Sequence, residues 1–210
     1  HKLKELGTTK EYLRNSDFIY SGVSVGIPSD NSYDTLAKWI NEYVKEGYKR
    51  VKVKVRPGWD LKAIETARRV VGDDFLLWPD ANASFDLNEH IDILKEMDSF
   101  NCAFIEQPLH HDDILDHCRL AKLIRTPICL DESLKSERVA RQVLEIEGSN
   151  IWNIKIQRVG GLYEAVKIYS LASKNNIKVW GGTMPESGIG GASIIALATF
   201  AGFKYPACVE

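Results

Sequence analysis

Five charged residues recur along the chain at a nearly constant interval. Lys54, Asp80, Glu106, Asp131 and Lys155 each lie 24 to 26 residues after the one before, and each comes at the end of a short apolar run. Such an interval is the length of one strand followed by one helix. Lysine, aspartate and glutamate are rarely buried without an oppositely charged partner or a metal ion. The repeat therefore predicts lysines and carboxylates that face one another across a cavity.

The three acids of this set are the oxygen ligands that a hard divalent cation prefers. Asp80, Glu106 and Asp131 belong to three successive predicted strands, and no histidine or cysteine occupies the strand ends. Carboxylates and water suit an octahedral Mg²⁺ site, for which Mn²⁺ can substitute, whereas zinc is less suited to such a site. Taken singly, each acid could simply pair with a lysine or cap a helix. Three acids in the same register indicate a metal site.

Lysines flank these acids. Lys52 and Lys54 are two residues apart, so both point to one side of a strand whose other side carries valines, and the valine side should face the helices. Lys155 comes from the sixth predicted strand, across a barrel from the second. A neighbouring ammonium and a divalent cation would each lower a lysine pKa toward that of a general base. Two such amines can remove a proton α to a carboxylate on one face and stabilise or reprotonate the enolate on the other.

The elements that must position these residues alternate strictly between strand and helix. Apolar runs and helical periodicity predict strands over 22–27, 50–55, 75–78, 102–105, 128–130, 151–156 and 178–180, and helices over 33–46, 60–71, 86–97, 112–124, 136–146, 163–174 and 192–201. Residues 207–210 would open an eighth strand. A glycine-rich loop is expected between the seventh strand and the last helix.

This alternation predicts an α/β fold with a parallel sheet covered by helices, and the number of strands favours a closed (β/α)8 TIM-type barrel. An open doubly wound sheet is the alternative. It would normally carry a glycine-rich turn after its first strand, where this chain has I-P-S-D-N. In a barrel the strand ends converge on the face where active sites lie.

Composition limits the partners that the protein can have. The chain has 210 residues with 44% hydrophobic content and a formal net charge of −2, which is typical of one domain and gives no reason to expect nucleic acid or a membrane as partner. We therefore expect a small-molecule partner. The four cysteines form no C-x-x-C pair, which favours reduced thiols and a cytoplasmic location.

The chain begins with His1 rather than methionine and stops shortly after Pro206, as an apolar segment starts. We expect an excerpt in which residues 1–210 form one barrel domain, with strands one to seven complete and strand eight truncated. The glycine-rich segment after strand seven places Met184 and Glu186 where they could line a pocket. His110 and His111 could reach its mouth, although a His-His-Asp-Asp run is more typical of a solvated helix start.

Six short motifs together resemble one enzyme superfamily. They are K-V-K-V with P-G-W-D shortly after it (52–60), D-A-N (80–82), E-Q-P (106–108), D-E-S (131–133), N-I-K (153–155) and G-G-T-M-P-E-S-G-I-G (181–190). This combination resembles the enolase superfamily, in its muconate-lactonizing subgroup, and there the o-succinylbenzoate synthase and N-acylamino acid racemase family. A lysine base with Mg²⁺ is characteristic of such sites. The resemblance covers essentially the whole chain.

The resemblance implies a role for each motif. Asp80, Glu106 and Asp131 would bind Mg²⁺, and Lys54 with Lys155 would form the acid/base pair. Lys52 and Asn82 would be supporting polar groups near the metal, and Glu132 would orient ligands around it. One position departs from the family pattern, since Gly191 stands where related sequences carry arginine. The family's N-terminal capping domain and the end of the barrel are also missing from the sequence.

The implied reaction is loss of water from a cyclohexadiene carboxylate to give o-succinylbenzoate in menaquinone biosynthesis, catalysed by a lyase. N-acylamino acid racemisation, an isomerase reaction, uses the same lysine pair and remains the close alternative. Dipeptide epimerisation and muconate cycloisomerisation are further alternatives. A Schiff-base aldolase with Lys155 as nucleophile is a different enzyme class, and a metal-stabilised binding scaffold is the non-enzyme alternative. The sequence leaves a homo-oligomer open.

Overall fold

A single parallel sheet forms the centre of the computed structural model, which describes residues 18–208. Its strands are β1 (Val23–Val25), β2 (Arg50–Lys54), β3 (Leu76–Asp80), β4 (Ile105–Glu106), β5 (Ile128–Leu130), β6 (Ile151–Ile154) and β7 (Lys178–Gly181). Each strand pairs in parallel with the next one along the chain, so the strand order in the sheet is the chain order from β1 to β7. Sequential parallel order is typical of a (β/α)8 barrel and differs from a doubly wound sheet.

The segment after the last helix joins the two edges of this sheet. Ala207 receives a hydrogen bond from the Gly22 backbone N–H at 3.0 Å and donates its own to Tyr20 at 3.0 Å, while Cys208 donates to Gly181 at 2.9 Å. Residues 207 and 208 therefore lie between β1 and β7, as the predicted eighth strand requires. Residues 209 and 210 of that prediction lie outside the described residues. The predicted barrel fold is confirmed.

Helices separate the strands. They are α1 (Tyr33–Glu46), α2 (Leu61–Val71), α3 (Leu87–Glu96), α4 (Ile114–Ala121), α5 (Glu137–Glu145), α6 (Ile156–Val159), α7 (Leu162–Lys174) and α8 (Gly188–Ala198), with a 3₁₀ turn at Met97–Phe100. Serine or aspartate side chains cap most of the longer helices by accepting a backbone N–H of the first turn, as Ser32 does for α1. Among the described residues, no helix combines the length and the apolarity that crossing a bilayer requires.

Several boundaries differ from the sequence prediction by a few residues, and two of these differences affect the site. Helix α8 begins at Gly188 rather than at residue 192, because Ser187 caps it and its apolar residues Ile194 and Leu197 are buried, so part of the expected glycine-rich loop is helical. Strand β6 ends at Ile154, and the next residues form the short helix α6, which the pattern missed. Lys155 therefore lies at the junction of β6 and α6.

The strands divide the interior into two apolar regions. On the outer side, Val51 and Val53 of β2 pack in one cluster with helix residues such as Ile40 and Ile64. Inside the barrel lies a second cluster, which consists of Trp78, Phe104, Cys129, Ile151, Trp180 and Cys208. Because alternate side chains of a strand point to opposite sides, the charged residues of β2 share this inner side, as predicted.

One buried arginine ties together the connections that lead into β3 and β4. Arg68 on α2 is 8% exposed. Its guanidinium donates to the carbonyl oxygens of Gly72, Asp73, Phe75, Phe100 and Asn101 at 2.7 to 3.3 Å. These carbonyls lie in the loop between α2 and β3 and at the end of the 3₁₀ turn, so one side chain satisfies two connections.

We expect Arg68→Met to lower the free energy of unfolding by about 2 to 4 kcal/mol, because it leaves several buried carbonyl oxygens without a donor. Urea unfolding followed by circular dichroism measures the change. Arg69→Met is the matched control, since Arg69 is the next residue of the same helix and is exposed. Equal stability of the two variants would contradict the structural role of Arg68.

Candidate active site at the carboxyl ends of the strands

The five periodic charges lie at one end of the sheet. Lys54, Asp80 and Glu106 are the last residues of β2, β3 and β4, and Asp131 and Lys155 directly follow β5 and β6. Strand register pairs Lys54 with Asp80 and Asp80 with Glu106. The structure thus brings the predicted set to the same end of the barrel; we call these five residues and Lys52 the ring.

Ion pairs connect the ring. The Lys52 amine lies 2.8 Å from Asp80 and 3.4 Å from Glu106, and the Lys54 amine lies 2.7 Å from the same oxygen of Asp80. The Lys155 amine lies 2.7 Å from Asp131. All three acids are fully buried, and Lys54 is the most exposed lysine of the ring, with 32% of its side chain accessible. Each buried carboxylate is therefore compensated by at least one ammonium.

Burial and charge act in opposite directions on the ring pKa values. Burial alone would lower the pKa of Lys52, but the carboxylates of Glu106 and Asp80 outweigh it and hold that pKa above its ordinary value. This direction is opposite to the lowering expected from the sequence for a lysine in this position. Burial likewise raises the pKa of an aspartate, yet Lys52 and Lys54 keep the pKa of Asp80 well below its usual range.

The middle acid of the ring behaves differently. Burial, reinforced by the neighbouring charge of Asp80, raises the pKa of Glu106 to about 7 against the opposing effect of Lys52. Two adjacent carboxylates in one dry site cannot both ionise at little cost. The ring is therefore richest in negative charge at Asp80, and further positive charge near Glu106 would be favourable.

Asn82 and Glu132 extend the ring. Asn82 receives a hydrogen bond from the Lys54 amine at 2.5 Å and donates its amide to Glu132 at 2.7 Å. Its backbone N–H donates to Asp80 at 3.1 Å, with a positive φ of 43° that asparagine tolerates better than most residues. Asn82 therefore fixes Lys54 relative to two loops.

The donor set fits a divalent cation in chemistry and burial. Besides the three buried acids, Asp131 Oδ2 and Glu132 Oε2 are buried carboxylate oxygens without a hydrogen-bond donor in the described part of the chain, although Asp131 Oδ2 contacts the Lys155 amine. In the described residues the ligand atoms of the three acids do not all lie within 4.8 Å of one another, and Lys52 contacts both Asp80 and Glu106.

A second group of potential ligands lies at the mouth. Within residues 18–208, the ligand atoms of His110, His111 and Asp112 are the set of three that approach within 4.8 Å of one another. Asp112 is also paired with Lys135 at 2.7 Å. Asp113 caps α4 immediately afterwards, in agreement with the predicted helix start, and His111 lines the cavity described next.

A cavity of about 860 Å³ opens above the ring. Lys54 and Lys155 both line it, although they come from strands on different parts of the barrel, and Asn82, Asp131 and Glu132 form part of its wall. Met184 also lines it, as predicted. Its volume is within the range of small-molecule sites. Two amines therefore face a common space large enough for an organic substrate.

Glu186 is not among the residues that line this cavity. Its carboxylate accepts the backbone N–H of Met184 at 3.2 Å, so it braces the loop after β7. Gly191, the departure from the family pattern, lies in the first turn of α8, and a Cβ at this position would meet nothing within 4 Å. The helix thus has room for a larger residue there.

Three residues of the site were missed by the sequence prediction. Arg158 on α6 donates to Asp131 and to the Asn153 carbonyl oxygen. The Gln107 side chain accepts the backbone N–H groups of Asp131 and Ser133 at 2.9 and 3.1 Å, and Gln107 has a positive φ of 39°. Asn153 donates to Glu106 at 2.9 Å. The regular spacing of the charges gave no signal for these contacts. The E-Q-P and N-I-K motifs contain Gln107 and Asn153 and could have indicated them.

Gly182 approaches the ring too closely for any side chain. A Cβ there would lie 2.5 Å from Asn153 Oδ1 and 2.9 Å from Lys155 Cε. We expect Gly182→Ala to displace both side chains and to destabilise the protein by about 1 to 3 kcal/mol, the usual cost of overpacking. Urea unfolding measures this loss. Gly26→Ala is the control, since its Cβ would meet nothing within 4 Å, and equal stabilities would refute the predicted clash.

Comparison with known proteins identifies the family. Residues 35–209 match the family model described as enolase C-terminal domain-like. The chain is 44% identical over 200 residues to an o-succinylbenzoate synthase of Geobacillus kaustophilus, covering 95% of this chain and 50% of that protein. It is 40% identical over 202 residues to an N-succinylamino acid racemase of Amycolatopsis, covering 96% of this chain and 52% of that protein.

A solved structure agrees with these matches. A member of the enolase superfamily from Listeria innocua superposes with a TM-score of 0.87 at 36% identity, covering 99% of this chain and 53% of that one. The chain thus spans about half the length of the relatives that it matches. The resemblance drawn from the motifs is confirmed, and the chain belongs to the enolase C-terminal domain-like family of the enolase superfamily.

Proposed function

We propose that this chain forms the catalytic barrel of a Mg²⁺-dependent enzyme that removes a proton α to a carboxylate, and that the reaction is dehydration to o-succinylbenzoate in menaquinone biosynthesis. The observation that carries the proposal is the shared cavity, which Lys54 and Lys155 line together beside Asp131. A base on one side and a cation on the other are what α-proton abstraction requires. The synthase relative from Geobacillus supports the choice of reaction.

Asp80, Glu106 and Asp131 are the proposed ligands of Mg²⁺, for which Mn²⁺ can substitute. They are hard oxygen donors, all fully buried, and charge near Glu106 is unbalanced in the way that a cation would correct. When bound, Mg²⁺ would supply positive charge that stabilises the developing enolate. Lys52 contacts both Asp80 and Glu106, so its ammonium adds positive charge beside these two acids.

Lys54 is the proposed base. Its amine is the more accessible of the two on β2, and its contacts with Asp80 and Asn82 at 2.7 and 2.5 Å hold it in place beside the cavity. Lys54 would take the α proton as an uncharged amine. Glu132 accepts a hydrogen bond from the side-chain amide of Asn82. Because Asn82 in turn holds Lys54, Glu132 acts on Lys54 indirectly.

Lys155 would hold its ammonium toward the opposite face of the substrate, where it stabilises the charge that develops as the C–H bond breaks. Its contact with Asp131 at 2.7 Å directs the amine. In dehydration the enolate then expels the neighbouring hydroxyl, and the proton taken from carbon leaves with it as water. The proposed substrate is a small carboxylate, which suits a cavity whose wall includes the cationic side chains Lys54, Lys135, Lys155 and Arg158.

Racemisation of an N-acylamino acid is the second candidate. It requires two amines that exchange roles, one removing the α proton and the other returning a proton from the opposite face. The exposure of Lys54 and Lys155 to one cavity supports it equally, as does the relative from Amycolatopsis. Dipeptide epimerisation and muconate cycloisomerisation need the same first step and rank below these two.

A Schiff-base aldolase remains a poorer match. It would use Lys155 as nucleophile and would leave three buried acids without a role. A binding scaffold would leave the two lysine amines at the cavity without a role. The aldolase predicts that borohydride traps the substrate on Lys155, and the scaffold predicts that Lys54→Ala leaves the biological role intact; both results would contradict the proposal.

We expect Lys54→Ala and Lys155→Ala each to reduce turnover of the cyclohexadiene substrate by about 10²-fold to 10⁴-fold, the usual contribution of an acid/base group. The full-length enzyme is assayed with Mg²⁺ by loss of diene absorbance, with and without EDTA. Lys62→Ala is the control, because Lys62 is an exposed lysine paired with Glu65 on α2. It should retain wild-type turnover.

A parallel assay separates the two candidate reactions. The same proteins are incubated in deuterated buffer with an N-succinyl amino acid, and deuterium at the α carbon is measured by mass spectrometry. Dehydration that requires metal and both lysines supports the synthase, whereas exchange without dehydration identifies a racemase. Absence of both activities in a protein that binds Mg²⁺ would overturn the proposed chemistry.

A further inference from the structure

Glu106 is held by a tryptophan as well as by charged groups. The indole Nε1–H of Trp78 donates to Glu106 Oε2 at 3.0 Å, and the amide of Asn153 donates to Oε1 at 2.9 Å. Trp78 and Glu106 are both fully buried. Each carboxylate oxygen thus accepts a neutral N–H, one from Trp78 on the adjacent strand β3 and one from Asn153 on β6, and these two bonds fix the plane of the carboxylate.

The position of Trp78 on its strand explains this contact. Trp78 precedes Asp80 by two residues on β3, so both side chains point into the barrel. Asp80 pairs in register with Glu106 on the adjacent strand. One strand therefore supplies both an acid of the ring and the donor that holds the next acid.

The indole ring has no freedom to turn away. Its centroid lies 4.3 Å from that of Phe104 and 5.3 Å from that of Trp180, and the Arg50 guanidinium lies 4.8 Å from it. All of these groups are buried. The direction of the Trp78 N–H is consequently set by the packing of these buried groups inside the barrel rather than by Glu106 itself.

Two other fully buried tryptophans, Trp180 inside the barrel and Trp152 on its outer side, lack such a contact. The Trp180 indole donates to the sulfur of Cys129 at 3.3 Å, and the Trp152 indole N–H has no partner among the described residues. Of these three rings, Trp78 alone directs its N–H at an acid. This difference makes its contact specific to the site and provides a control.

We propose that Trp78 is a positioning residue that acts through Glu106, orienting this carboxylate for a divalent cation. The inference rests on the proposed role of Glu106 as a metal ligand. A fixed donor to one lone pair of the Glu106 carboxylate leaves its other lone pairs directed at the site. Groups that hydrogen-bond to metal ligands commonly contribute 10-fold to 100-fold to the affinity for the metal. Without this donor, Glu106 is free to turn toward Lys52, which lies 3.4 Å away and competes with the cation.

The test is Trp78→Phe in the full-length protein, with Mn²⁺ as the probe and free Mn²⁺ measured by electron paramagnetic resonance. This change removes the N–H and retains an aromatic ring. We expect the Kd for Mn²⁺ to rise about 10-fold or more, while circular dichroism shows a folded protein. Trp152→Phe removes an indole N–H that has no partner within residues 18–208 and should leave the Kd within about 2-fold. Equal affinities of the two variants would overturn the inference.

Two further proteins make the result unambiguous. If Glu106→Gln binds Mn²⁺ as tightly as the wild type, the proposed metal site fails; if it loses Mn²⁺ while Trp78→Phe does not, only the role of Trp78 fails. If Trp78→Phe does not fold, benzothienylalanine at position 78 preserves the shape of the ring and replaces the N–H with sulfur. It should weaken Mn²⁺ binding equally, and wild-type affinity would refute the inference.

Discussion

The burial of three carboxylates at one end of a barrel is the constraint on which the site depends. A buried carboxylate is costly unless an opposite charge and hydrogen bonds compensate it. Asp80 has two lysines, Glu106 has Lys52 with neutral N–H donors, and Asp131 has Lys155 and Arg158. Because Lys52 contacts both Asp80 and Glu106, a change at one charge alters the balance at its neighbours, and the same contacts that compensate the acids hold the amines in place.

The sheet makes this concentration of charge possible. Parallel strands in sequential order bring residues separated by about 25 positions into register, as the pairing of Asp80 with Glu106 shows. Beneath them Trp78, Phe104 and Trp180 fill the barrel, which excludes water and strengthens every electrostatic contact above. These packed aromatic side chains are therefore part of the site, and the indole N–H of Trp78 donates directly to Glu106.

The sequence predicted the features that recur with each strand and helix, and it missed the contacts that depend on side-chain packing. Strand ends recur at a fixed interval, so the position of the ring could be predicted without coordinates. The contacts of Arg158 and Gln107 with Asp131 follow from tertiary geometry and leave no periodic signal. The start of α8 was predicted too late because glycine lowers helix propensity, whereas Ser187 and the burial of Ile194 determine it here. The raised pKa of Lys52 likewise depends on distances that spacing alone does not give.

The two candidate reactions share the ring and diverge only after the enolate has formed. Dehydration needs a leaving hydroxyl next to the enolate, whereas racemisation needs a proton from the opposite amine. Lys54 and Lys155 border a single cavity, so under the proposal the barrel would supply both acid and base in either case. The choice must then lie in how the cavity orients the substrate between the amines. Groups on the cavity wall outside the ring, such as Met184 and His111, can favour one orientation over another without altering the chemistry of the ring.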